Sequence, residues 1–115
     1  MYEDVIELVG TEEGPTSMVL IGVHGNERCG IDAITELLPT LKIKRGRVLI
    51  AYGNPKAIER NIRYAEANLN RLFKSDEILS EQEKGSYEYS RAQFLKKYLN
   101  QADFLLDTHA SLTPN

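Results

Sequence analysis

The sequence predicts an α/β protein with a largely parallel or mixed sheet and flanking helices. Three observations carry that expectation. Short apolar runs rich in β-branched residues alternate with segments of helical period. The run Val48-Leu49-Ile50-Ala51 is almost continuously apolar, as in a strand covered on both faces. The only two histidines of the 115 residues, His24 and His109, each stand at the end of an apolar run. Ligands of open α/β sheets bind there, outside the carboxyl ends of strands.

In chain order, residues 5–9 form the first expected strand, ended by Gly10. Glu12, Glu13, Gly14 and Pro15 read as a turn. A second strand follows over residues 18–23, and Gly25 and Asn26 are turn formers. From residue 27 to residue 38 the pattern is helical, with Ile31, Ile34, Leu37 and Leu38 on one face and Pro39 at the end. Gly46 precedes a third strand, residues 47–52, broken by Gly53-Asn54-Pro55. Residues 54–74 are less regular and basic, with Lys56, Arg60, Arg63, Arg71 and Lys74 against Glu59 and Glu66. Residues 75–88 turn acidic. A helical period returns over residues 87–99, through Tyr87, Arg91, Phe94, Leu95, Tyr98 and Leu99. Lys96 and Lys97 near its C-terminal end suit the helix dipole. A last strand is expected over residues 103–107. These elements are fewer than a comfortable doubly wound domain holds.

A chain of 115 residues is one domain at most. A formal net charge of −3 argues against a general nucleic-acid binder, which carries a basic footprint. One cysteine, Cys29, allows no internal disulfide and gives no sign of an oxidising compartment. No apolar run is long enough to cross a membrane. The acidic start, Met1-Tyr2-Glu3-Asp4, lacks the basic region of a signal peptide. The expectation is a soluble cytoplasmic protein.

His24 and Glu27 stand where a strand hands over to a helix, and a spacing of three there brings both side chains to one side. An imidazole and a carboxylate so held make two-thirds of a catalytic zinc site, which needs a second histidine and keeps one position open. By elimination that histidine is His109. Asp107, two residues earlier on an extended strand, shares its face. It either orients the His109 ring as a supporting carboxylate or ends the strand and satisfies a turn. Cys29 is a further thiol ligand or a small buried residue on the first helical turn. Arg63 and Arg71, with Asn70, suit bidentate binding of carboxylates, or else are solvated or paired with Glu59 and Glu66. Leu69, Leu72 and Phe73 would anchor that segment to the core. Gly25 and Gly30 imitate a phosphate loop, but Ile31-Asp32 stands where Lys-Ser/Thr is required. The glycines also miss the dinucleotide spacing.

Four motifs in order carry a resemblance. Gly22-Val23-His24-Gly25-Asn26-Glu27 resembles the signature of the succinylglutamate desuccinylase/aspartoacylase family, related to zinc carboxypeptidases. Asn54-Pro55-Lys56-Ala57 matches its Asn-Pro-x-Ala element. Arg63-Tyr64 and Asn68-Leu69-Asn70-Arg71-Leu72-Phe73 match its Arg-Tyr and Leu-Asn-Arg-x-Phe elements. Leu106-Asp107-Thr108-His109 matches its Asp-x-His. The resemblance implies one zinc ion held by His24, Glu27 and His109, with Arg63 facing the scissile carbonyl. It implies that Asn70 and Arg71 hold a substrate carboxylate. The implied reaction is hydrolysis of the amide of N-acyl acidic amino acids, such as N-succinylglutamate or N-acetylaspartate. The family's general-base glutamate lies downstream of Asp-x-His. Residues 1–115 are therefore expected to be the N-terminal portion of a zinc carboxypeptidase-like catalytic domain, truncated before that base.

Two other expectations stand beside this one. The first is a zinc-binding α/β module that does no chemistry. The second is an interaction fragment whose histidines bind nothing. A sheet lacking its remaining strands exposes apolar edges, so a homo-oligomer is a further expectation.

Overall fold

Side-chain alternation along two central strands decides how this protein is layered. The structure is a computed structural model in which residues 2–111 are described. Its sheet contains β1 (Ile6–Val9), β2 (Glu12–Ile21), β3 (Arg45–Tyr52) and β4 (Phe104–Asp107), in the order β1-β3-β2-β4. β2 runs parallel to both β3 and β4, whereas β1 is antiparallel to β3, so the sheet is mixed. Among the described residues there are also four α-helices, α1 (Arg28–Leu37), α2 (Pro55–Arg60), α3 (Glu81–Lys84) and α4 (Tyr87–Leu99), and two short 3₁₀ turns, Leu38–Thr40 and Leu69–Arg71.

One face of the sheet presents Met18, Leu20, Leu49 and Ala51 to Leu69, Leu72, Leu79, Ala92 and Leu95. The opposite face presents Ile21, Ile50 and Tyr52 to Ile31 and Ile58. The two central strands are thus covered on both sides, as their near-continuous apolar runs require. Each fully buried Leu, Ile or Met contributes roughly 1.5–3 kcal/mol relative to exposure, so this sandwich is the main source of stability. Outer strand β4 differs: it pairs only with β2, and Phe104, Leu105 and Leu106 are 63%, 52% and 58% exposed.

Several local expectations are corrected. Residues 12–15 belong to β2 rather than to a turn. Pro15 is tolerated because the pairing with β3 slips between Glu12 and Thr16, where no ladder bond needs its missing N–H. β2 stops at Ile21 rather than continuing to residue 23. There the carbonyls of Ile21 and Gly22 turn to accept N–H groups from Gly53 (2.7 Å) and Asn54 (3.0 Å). The irregular basic segment contains α2, started by Asn54, whose side chain accepts from Ala57 N–H, and by Pro55 in the first turn. Cys29 is exposed, not buried. It lies two residues from the buried Ile31, on the opposite side of α1. Leu37 is also exposed, while Ile34 and Leu38 are half-buried against the core. α4 has the expected bounds, and of the expected face Arg91 and Leu95 are buried while Phe94, Tyr98 and Leu99 pack half-buried against the core; Glu88 and Ala92 are buried with them. No described helix is long and apolar enough to cross a membrane.

At the slip in β2, Gly46 takes φ +77°, and a Cβ there would stand 2.1 Å from the Pro15 carbonyl oxygen. Gly46→Ala is expected to destabilise the fold by about 1–3 kcal/mol through strain and forced backbone movement. Urea denaturation checks this, and an unchanged midpoint would show that the strand crossing is looser than drawn.

Candidate metal centre

The parallel register of β2 and β4 brings distant residues together. Leu20 is paired with Asp107, and Thr108 N–H donates to the Leu20 carbonyl at 3.1 Å. His24 and His109, just beyond these strand ends, therefore approach each other, with ring centroids 5.8 Å apart. His24 lies in a tight turn, closed by Glu27 N–H donating to the His24 carbonyl at 3.2 Å. Gly25 packs against α2, and a Cβ there would stand 2.1 Å from the Ala57 carbonyl carbon. Gly25 N–H also donates to the Arg63 carbonyl at 3.3 Å, which ties the basic segment to the histidine turn.

Glu27 joins the two imidazoles. Its Oε2 lies 2.5 Å from His24 Nδ1, and its Oε1 lies 3.3 Å from His109 Nδ1. Oε1 also accepts Ala110 N–H at 2.8 Å. One ligand atom from each of His24, Glu27 and His109 lies within 4.8 Å of the other two. His24 is buried, whereas Glu27 and His109 are partly open to solvent. Burial alone would push the Glu27 carboxyl up. The Ala110 N–H and the two imidazoles outweigh it, and the pKa falls below the ordinary carboxylate value.

The far sides of both rings are also engaged. Asn68 Oδ1 accepts Asn70 N–H at 3.0 Å, which identifies it as the oxygen, and lies 2.8 Å from His24 Nε2. Nε2–H must then be the donor, which leaves the Nδ1 lone pair aimed at the Glu27 carboxylate. His109 Nε2 faces Asp107 Oδ1 at 3.1 Å, and its Nδ1 likewise points towards Glu27. Two electron-pair donors do not face each other at 2.5 Å unless a positive charge lies between them, either a proton or a cation. Two imidazole nitrogens, one carboxylate and partial exposure suit a divalent ion of the zinc type with an open position. The residues present fit such an ion.

Arg63, Asn70 and Arg71 are exposed, but their backbone is held. Asn70 and Arg71 belong to the short 3₁₀ turn Leu69–Arg71, which Asn68 caps and the buried Leu69 and Leu72 anchor. The Glu66 carboxylate accepts Tyr87 N–H.

Sequence reasoning passed over Glu88 and gave no supporting role at the site to Asn54, Asn68 or Arg91. Glu88 is fully buried and accepts from Asn54 Nδ2 (2.8 Å) and from the backbone N–H groups of Ala65 (2.6 Å) and Ala67 (2.9 Å). Arg91, one turn on, donates to the carbonyls of Tyr52 (2.8 Å) and Gly53 (3.1 Å). The spacing Glu88, Arg91, Ala92, Leu95 is a helical stripe, and that signal was available. Burial would raise the Glu88 pKa. Its Asn54 and backbone donors outweigh that and hold the carboxyl below the usual range.

Known proteins resemble this chain. Residues 13–113 match the model of the succinylglutamate desuccinylase/aspartoacylase catalytic domain. The chain is similar to succinylglutamate desuccinylase of Photorhabdus laumondii, 42% identical over 79 residues, covering 64% of this chain and 24% of that protein. Among solved structures, succinylglutamate desuccinylase from Vibrio cholerae superposes with a TM-score of 0.79 at 26% identity, over 96% of this chain and 36% of that one. A succinylglutamate desuccinylase/aspartoacylase from Rhodobacter sphaeroides gives 0.75 at 29% identity, over 92% and 32%. The chain spans about a quarter of the length of the curated relatives it matches.

Glu88 and Glu27 are both depressed below 4.5 in the folded state, so the stability they contribute is fully present above the unfolded carboxylate pKa. It is lost as pH falls through the folded values. The urea midpoint is expected to stay level from neutrality to about pH 5.5 and to drop steeply below about pH 4.5. A midpoint that holds or rises on acidification would count against both ionised carboxylates.

Proposed function

The chain belongs to the succinylglutamate desuccinylase/aspartoacylase family, and on that premise we propose that it is the metal-binding portion of a zinc-dependent deacylase. The substrate is the amide of an N-acyl acidic amino acid, of the N-succinylglutamate or N-acetylaspartate kind, in the cytoplasm. The observation that carries this reading is the convergence of His24 Nδ1, His109 Nδ1 and the Glu27 carboxylate, with the far ring nitrogens engaged by Asn68 and Asp107.

His24, Glu27 and His109 would hold one zinc ion. Bound there, zinc supplies Lewis acidity and lowers the pKa of water towards neutrality. Asp107 accepts His109 Nε2–H and so keeps Nδ1 free to ligate. Arg63 places a guanidinium where negative charge develops on the carbonyl oxygen, the electrostatic effect that commonly dominates such reactions. Asn70 and Arg71 bind a substrate carboxylate, Arg71 through a two-pronged contact. The proton-accepting glutamate lies, in this reading, within the portion of the family fold outside the quarter that this chain spans. The exposed apolar β4 edge supports self-association, which light scattering over a concentration series would detect.

Metal analysis of the purified chain tests the centre. One zinc per chain is expected, with loss of metal in His24→Ala and His109→Ala. Zinc at about a hundredfold above its Kd should stabilise the wild type by roughly 2.7 kcal/mol, read as a rise in Tm. A chain that takes up no zinc would sink the proposal.

In an active deacylase carrying this chain, Arg63→Ala should lower kcat by roughly a hundredfold or more with little change in KM. Arg71→Ala should mainly raise KM for dianionic substrates. An unaltered kcat in the first variant refutes the oxyanion role. Equal losses with a neutral acyl substrate in the second refute carboxylate binding.

A further inference from the structure

Glu88 touches none of the proposed ligands, yet the site's supporting loop is wrapped around it. The first turn of α4 carries its side chain inward, to zero exposure. Oε1 accepts the N–H groups of Glu66 (3.0 Å) and Ala67 (2.9 Å), and Oε2 those of Ala65 (2.6 Å) and the Asn54 side chain (2.8 Å). Three consecutive amides therefore bend round one carboxylate. Glu66 answers from the loop, accepting Tyr87 N–H at the start of α4 at 2.5 Å. Only an ionised carboxylate offers this many acceptor positions and no donor. In the isosteric amide, an NH₂ group would face at least one of these donors.

The next residue after the three amides is Asn68, whose Oδ1 takes His24 Nε2–H. Two residues before them, the Arg63 carbonyl takes Gly25 N–H. Both ends of the clasped loop are thus attached to the turn that carries His24. We infer that Glu88 is a positioning residue for the metal centre. By fixing residues 65–67 it seats Asn68, which holds the His24 ring with Nδ1 turned towards Glu27. This rests on the zinc reading of the site.

The test is a double-mutant cycle on the whole chain, with zinc as the probe and its Kd read by competition with a chromophoric chelator. Glu88→Gln is expected to weaken zinc about tenfold or more, the range seen when groups supporting a ligand are removed. Backbone amides 65–67 should exchange faster with solvent, and the far-ultraviolet helical signal should persist. Asn68→Ala should weaken zinc similarly. If Glu88 acts through Asn68, the double variant loses no more than the weaker-binding single. Multiplying losses, or wild-type affinity in a folded Glu88→Gln, overturns the inference. If Glu88→Gln does not fold, Glu88→Asp, which keeps the charge but withdraws it by one methylene, takes its place in the cycle. If the wild type binds no zinc, the functional reading fails by itself. Amide exchange at 65–67 and the His24 tautomer, read by ¹⁵N NMR, then decide the positioning role. An unchanged Nε2–H tautomer in Glu88→Gln overturns it.

Discussion

Everything at this site depends on one carboxylate standing between two imidazoles. Glu27 reaches His24 with one oxygen, and His109 and the Ala110 amide with the other. It links the start of α1 to the residues beyond β4, 82 positions away in the chain. The arrangement is electron-rich on every side, since each ring's far nitrogen faces an oxygen of Asn68 or Asp107 and its near nitrogen faces the Glu27 carboxylate. Such a cluster is costly unless a positive charge sits within it. The same property that makes it unfavourable alone makes it a good receptor for a divalent ion.

The sheet brings the cluster together, and the loops hold it. Parallel pairing of β2 with β4 puts two carboxyl ends side by side, as binding sites of open sheets require. Pairing alone places a ring only approximately. The Asn-Pro-x-Ala element contributes through ordinary helix capping. Asn54 receives Ala57 N–H while its amide group reaches Glu88, and the missing Cβ of Gly25 lets that residue approach the Ala57 backbone of α2 closely. Arg91 holds the neighbouring turn by its carbonyls. α4 therefore clasps the loops through two buried polar groups, Glu88 and Arg91, set beside the apolar Ala92 and Leu95.

Strand β4 connects this local picture to the family. Its three apolar residues lie open to solvent at a sheet edge, although they sit beside the deepest part of the core. Residues with that composition are normally covered. The solved relatives are about three times as long as the part this chain matches.

The sequence by itself determined the four strands, the helices α1 and α4 with the bounds of the latter, the α/β class and the identity of the three clustered residues. These follow from local chemistry: period, breakers and the presence of only two histidines. It misread residues 12–15, because Gly14 and Pro15 signal a turn unless a distant Gly46 makes room for an irregular strand crossing. It misjudged Cys29 and passed over Glu88, because burial of a thiol or a carboxylate depends on what packs against it. Only the tertiary structure decided which ring nitrogen carries the proton, since Asn68 reaches His24 across 44 positions. Only it showed that three loop amides and one side-chain amide converge on Glu88. Long-range pairing leaves no mark on local pattern; it is set by which surfaces the folded sheet and helices bring into contact.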